Sequence, residues 1–210
     1  MDARKPPEFV LELSADRSNV KDIVKGLQTS KPADTSLRAR ANSHLPGILH
    51  TLFFHRLFTP LAPSTTDLLT YTLPTITSDP ALTTLIETKT TTLLRHLDTL
   101  STTTSPQYHP TRPLHTSLTL SFLEKKRRKG WFVAKADEET VWETWVIKVE
   151  VLGARSEVEA GRNRRLMERR LGEAVLRIVD ICGRERGHIP PITTNEANPF
   201  PYQISVGGKG

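Results

Sequence analysis

Two stretches of regular alternation, "LHTSLTLSFL" (114–123) and "VWETWVIKVEVL" (141–152), constrain this chain more than any other feature. In the first, Leu118, Leu120 and Phe122 alternate with Ser117, Thr119 and Ser121. In the second, Trp145, Ile147, Val149 and Val151 alternate with Thr144, Lys148 and Glu150. Side chains on a strand point to opposite faces with a period of two, so each stretch reads as a half-buried strand. Residues 124–140 connect them, which makes the pair a long antiparallel hairpin with a charged tip.

That tip, "EKKRRKGWFVAKADEET", runs five basic residues, Lys125, Lys126, Arg127, Arg128 and Lys129, into Trp131 and Phe132. Neighbouring residues on a tip point opposite ways, so the aromatic pair does not reach one core together. An exposed large aromatic forgoes roughly 2–3 kcal/mol of burial. Aromatic side chains also dominate binding hot spots. In a chain with only 6% aromatic residues, the pair reads as a surface left open for a partner. The plain alternative is a loop that folds over and tucks Trp131 in. The basic run has its own plain reading, a solvated tip that discourages edge-to-edge strand pairing. Asp137, Glu138 and Glu139 read as solvated counter-charges.

The remaining elements follow from periodicity. "EFVLELS" (8–14) alternates like a strand, and Asp16 or Ser18 is placed to cap a helix carrying Val20, Ile23, Val24 and Leu27. Residues 28–44 lack an apolar period and read as a loop insertion. A helix resumes at Leu45 with Ile48, Leu49, Leu52 and Phe53 on one face. "DLLTYTL" (67–73) reads as one strand and 80–101 as a helix despite its threonines, with a loop over 101–113. A helix over 156–183 turns Met167, Leu171, Val175, Ile178 and Cys182 inward, "PPIT" stops it, and "PYQISV" (201–206) forms a last strand. This order is α+β, without the βαβ alternation of a nucleotide-binding fold. The expected organisation is a flexible 1–7, one domain over 8–206 and a flexible 207–210.

Chemistry is sparse. No GxGxxG or GxxxxGK[ST] loop occurs among the 11 glycines, no HExxH among the seven histidines, and no GxSxG context for a serine. His50 and His55, five residues apart on a helix, face different ways and are poor metal ligands together. Cys182, the single cysteine, rules out an intramolecular disulfide and reads as a small buried hydrophobe. Neither an enzyme nor a cofactor or metal site is expected. The N-terminus has no apolar leader region, and no run approaches the ~20 apolar residues of a membrane span. A net charge of +6 admits nucleic acid, anionic lipid or an acidic protein as partner and selects none. Between residues 155 and 186, nine arginines face six acidic residues, a mixture closer to a salt-bridged surface than to a groove reader.

Four segments together, "LSFLEKKRRKGWF", "VWETWVIKVEV", "GEAVLRIVDICGRERGHIPPIT" and "PYQISV", resemble the family of autophagy-related protein 101. "HLPGILHTLFFHR" is similar to the family's first helix, and "DLLTYTLPTI" to a strand before its second. The resemblance implies a HORMA domain, an antiparallel sheet backed by three helices with a protruding hairpin finger. It implies a non-catalytic adaptor of the autophagy initiation kinase complex, in the cytoplasm and at the phagophore assembly site. Its partner would be the HORMA domain of autophagy-related protein 13, in a heterodimer. Downstream factors would dock on the finger, whose aromatics match Trp131 and Phe132, with Lys125–Lys129 as an electrostatic aid. No small-molecule substrate is implied. The sequence departs from the family in four ways, one being that residues 28–44 insert into the first helix region. Trp131 and Phe132 are adjacent, where a proline often separates them. The stretch 59–66 is short for a full hairpin, and the chain ends soon after "PYQISV". The runner-up reading is a basic nucleic-acid-binding module using the 124–140 tip.

Overall fold

A computed structural model describes residues 5–16, 44–103, 113–126, 138–193 and 198–207. The expected helix carrying Val20 to Leu27 lies outside the described residues, as do Arg127–Asp137. The described elements are β1 (Glu8–Asp16), α1 (His44–Arg56), β2 (Pro63–Leu68), β3 (Tyr71–Ile76), α2 (Pro80–Thr103), β4 (Leu114–Lys126), β5 (Glu138–Leu152), α3 (Glu157–Arg184) and β6 (Tyr202–Val206). The α+β class stands.

The main sheet has the order β1-β5-β4-β6, and it is mixed where an all-antiparallel sheet was expected. β4 is antiparallel to both of its neighbours, whereas β1 runs parallel to β5 with Leu11 beside Ile147 and Leu13 beside Val149. Alternation tells which face of a strand is buried. It carries no information on the direction of its neighbour, which the long connection from β1 to β5 sets here. The β4–β5 register places Leu118 opposite Ile147 and Leu120 opposite Trp145. The expected inward set, Leu118, Leu120, Phe122, Trp145, Ile147, Val149 and Val151, is buried as one face.

The 124–140 tip is narrower than its charges suggest. Strand pairing continues to Lys126 and Glu138, with Lys125 opposite Glu139, a cross-strand arrangement of opposite charges that favours pairing.

Among the described residues, three helices lie on the sheet, α1 between α2 and α3. α2 covers β4 and β6, and α3 lies most closely on β1 and α1 rather than over the centre of the hairpin. α1 is enclosed because the segment 67–73 is not one strand. β2 and β3 form a hairpin that turns at Leu69–Thr70 and packs on α1 as a further layer. Leu69 adopts φ 55°, a left-handed conformation usually signalled by Gly or Asn. Leucine gives no such signal, so the turn was invisible in the sequence. The stretch from Pro63 is thus long enough for a full hairpin. Thr72 donates to Asp67 Oδ1 at 2.7 Å and Thr75 to Thr66 at 2.8 Å across it.

With layers on both sides, α1 needs no polar face: Leu45, Ile48, Leu49, Leu52 and Phe53 are all buried, together with His50, Thr51 and Arg56. Close approach is built into the layers. Leu68 and Leu73 press on Gly47, and the Tyr71 hydroxyl occupies the space a side chain would take at Gly172 of α3.

The threonine-rich α2 is capped at its N-terminal end, and its threonines bond back onto the helix backbone. Asp79 accepts from Leu82 N at 3.0 Å, a capping contact, and Pro80 occupies the first turn where no N–H is needed. Thr84, Thr88, Thr90, Thr92 and Thr99 each donate to the carbonyl four residues back. α3 starts at the N-cap Ser156, whose hydroxyl accepts from Glu159 N. Met167, Leu171, Ile178 and Cys182 are buried and Val175 half-buried, as their spacing predicts.

Trp145 meets the Phe9 ring of β1, donates to Glu143 and is completely buried. Replacing it by alanine should cost about 3–5 kcal/mol in a denaturant titration.

Candidate functional site

The hairpin base carries an irregularity. Phe122 pairs with Glu143 and Leu123 with Val141, so Trp142 is an extra residue in β5, a β-bulge. The bulge turns Trp142 and Glu143 inward together: Trp142 retains 6% of its accessible surface and Glu143 none. A buried carboxylate is costly unless paired and hydrogen-bonded. Arg56 Nε donates to both oxygens of Glu143 at 2.9 Å, and Trp145 Nε1 donates to one of them. His188 Nε2 lies 2.7 Å from the other.

The guanidinium has further work. Its Nη1 donates to Cys182 O at 3.3 Å and Nη2 to Glu185 O at 3.1 Å, satisfying carbonyls at the C-terminal end of α3. Because the carboxylate is held by three donors, it acts as a cross-link and is not available as a general base. Cys182 beside it is no nucleophile: burial pushes its thiol up to about 11, against the opposing pull of Arg56.

Around the bulge lies an aromatic cluster. Trp142 contacts Phe122, Phe200 and His188 with ring centroids 5.6, 5.2 and 5.8 Å apart, and Phe58 meets Phe200 edge-on. The Trp142 Nε1 is buried without a hydrogen-bond partner.

Beyond the bulge, the hairpin leaves the sheet. β6 pairs with β4 only up to Phe122, with Leu123 N donating to Pro201 O as the last contact. β1 pairs with β5 only from Thr144 onward. Among the described strands, residues 124–126 and 138–140 therefore pair only with each other, as a two-stranded ribbon extending roughly 10 Å at the usual rise of a strand. Lys125 is exposed on this ribbon and Lys126 ends β4. Arg127, Arg128, Lys129, Trp131 and Phe132 lie outside the described residues.

Elsewhere, a cleft of about 600 Å³ opens between α2, α3 and the sheet. Several of its polar side chains are engaged: Arg170 bonds Ser14 and Glu150 at 2.7 and 2.6 Å, and His96 Nδ1 lies 3.1 Å from Thr116 Oγ1. On the outer side of α3, Arg169–Glu173 and Arg184–Asp180 form exposed ion pairs, while Leu176 and Val179 are exposed apolar residues. His50 Nδ1 accepts from Ile76 N at 3.3 Å. Among the described residues, no group of three or more His, Cys, Asp or Glu is arranged to hold a metal, and no helix is long and apolar enough to cross a membrane.

Sequence reasoning missed Arg56, Glu143 and His188. One signal was present: Glu143 is in phase with Trp145 and Ile147, a charge at a core position of a strand.

The described residues define an α+β domain whose buried charges are spent on holding its own elements together, with a ribbon projecting from one end. The family model of autophagy-related protein 101 matches residues 37–196, and the chain belongs to that family. Membership gives it an autophagy-related role. A search of curated proteins finds no match.

Two outcomes test this electrostatic account. Glu143→Ala should destabilise by about 3–5 kcal/mol because it orphans the buried Arg56. Arg56→Ala/Glu143→Ala should cost less than the sum of the single changes in a double-mutant cycle. Burial also lowers His44 from 6.5 to about 4, so the unfolded chain takes up this proton before the folded one. Its contribution is complete above pH 6.5 and declines toward pH 4. Urea midpoints measured over that range should fall, and less steeply in His44→Gln.

Proposed function

We propose that the chain is a non-catalytic adaptor of the autophagy initiation kinase complex. In this reading its body is a HORMA domain that pairs with and stabilises the HORMA domain of autophagy-related protein 13. Trp131 and Phe132 form a finger that recruits downstream factors, in the cytoplasm at the phagophore assembly site. The observation that carries the reading is the two-stranded ribbon at 124–126 and 138–140. It leads into the segment holding both aromatics and is paired by neither β1 nor β6. Family membership supports it, as does the mixed sheet with three helices.

The ribbon contributes little to the core, so binding and stability are separable. Trp131→Ala/Phe132→Ala should keep its melting behaviour, with a stability change within about 1 kcal/mol. Pairing with the autophagy-related protein 13 HORMA domain should survive in a pull-down, while recruitment of downstream factors and autophagosome formation fail. A large drop in melting temperature would place the aromatics in the core and remove the finger. Normal recruitment at normal stability would make the pair idle. Raising salt from 50 to 200 mM should leave pairing intact, whereas phosphate-driven nucleic-acid binding would fall steeply.

A further inference from the structure

The bulge is tied to a segment that is remote in sequence. Residues 185–193 leave the end of α3, and Pro190 and Pro191 carry no N–H to bond with. His188 is the side chain through which this strap touches the bulge, and it touches both bulge residues. Its Nε2 lies 2.7 Å from Glu143 Oε2, and its ring sits 5.8 Å from the Trp142 ring at 39°. Trp142 has no hydrogen bond to fix its orientation, so its ring neighbours do so. Two of these, His188 and Phe200, come from the chain that follows α3.

A bulge is where a strand bends and re-aims, and this one stands where the ribbon leaves the sheet. We propose that the seating of residues 185–193 and the direction of the β4–β5 ribbon are coupled through the Trp142–Glu143 bulge, with His188 as a positioning residue for the ribbon. Removing His188 leaves Glu143 held by Arg56 and Trp145, so the body keeps its buried charge paired. Trp142 then loses one of the rings that orient it. The strap and the ribbon base loosen together while the sheet stays closed. The consequence for recruitment rests on the adaptor reading; the coupling itself does not.

Hydrogen–deuterium exchange of the full chain, without partner, tests it. His188→Ala should speed exchange on the order of tenfold, the loss of one charged hydrogen bond, at both 185–190 and 138–142. Residues 145–151 should keep their protection. Because coupling is reciprocal, Trp142→Phe should loosen 185–190 as well as its own strand end. Faster exchange at 185–190 alone, or a uniform increase over the whole chain, overturns the proposal. So does a Trp142→Phe change confined to 138–142. The Trp131→Ala/Phe132→Ala recruitment assay judges the adaptor reading separately, since exchange is measured with no downstream factor present.

Discussion

Arg56 and Glu143 meet in the interior with almost no accessible surface, and the rest of the architecture is arranged around that pair. α1 runs between the sheet and the β2–β3 hairpin and ends in a guanidinium that has no route to water. Only a carboxylate delivered to the same place makes this tolerable. The β5 bulge delivers it, and the spare N–H groups of Arg56 close the end of α3. One side chain thereby fixes a helix end, a strand and a second helix end. An apolar substitute of similar volume is often as stable as such a pair, so its distinctive contribution is to specificity. A one-residue slip of β5 would carry Glu143 and Trp145 to the outer face and leave Arg56 alone inside.

The parts of this fold that were legible in the sequence are those written as a local period. The alternation of β4 and β5, the inward set of α3 and the long α2 needed only neighbouring residues to be read. What was illegible depends on distant chain. The parallel sense of β1 is set by a connection spanning most of the molecule. The turn at Leu69 rests on a backbone conformation that leucine does not advertise. The burial of α1 on both sides is also tertiary, since its apolar face was evident and its second covering layer was not.

The site divides in the same way. Charge next to aromatics at 125–132 was plain from composition, and the motifs around it were specific enough to point to the family that matches residues 37–196. Glu143 was visible as a charge in phase with a core, yet its partners were unreadable. Arg56 is 87 residues away, and nothing in a one-dimensional pattern links the two. His188 lies in a proline-flanked connection with no period at all. The structure adds the buried cross-link, which anchors the base of a hairpin that the sequence showed only as two alternating strands.

A two-stranded ribbon in water is marginal by itself, and this one carries charge on its paired positions rather than apolar area. Cross-strand opposition of Lys125 and Glu139 contributes at most about 1 kcal/mol, too little to set its direction. That direction must come from the base, where Phe122, Trp142 and Phe200 pack together and Glu143 anchors the bulge. The unpaired indole N–H of Trp142 is a local cost in this arrangement, and the large aromatic area around it offsets that cost. The core residues of the sheet hold the fold, the bulge converts that rigidity into a direction, and the ribbon beyond it is free to carry side chains that the core does not use. Sequence change on the described ribbon, 124–126 and 138–140, is therefore inexpensive for the fold. In the proposed coupling, change at 142, 143 or 188 acts on the direction of the ribbon at 124–126 and 138–140.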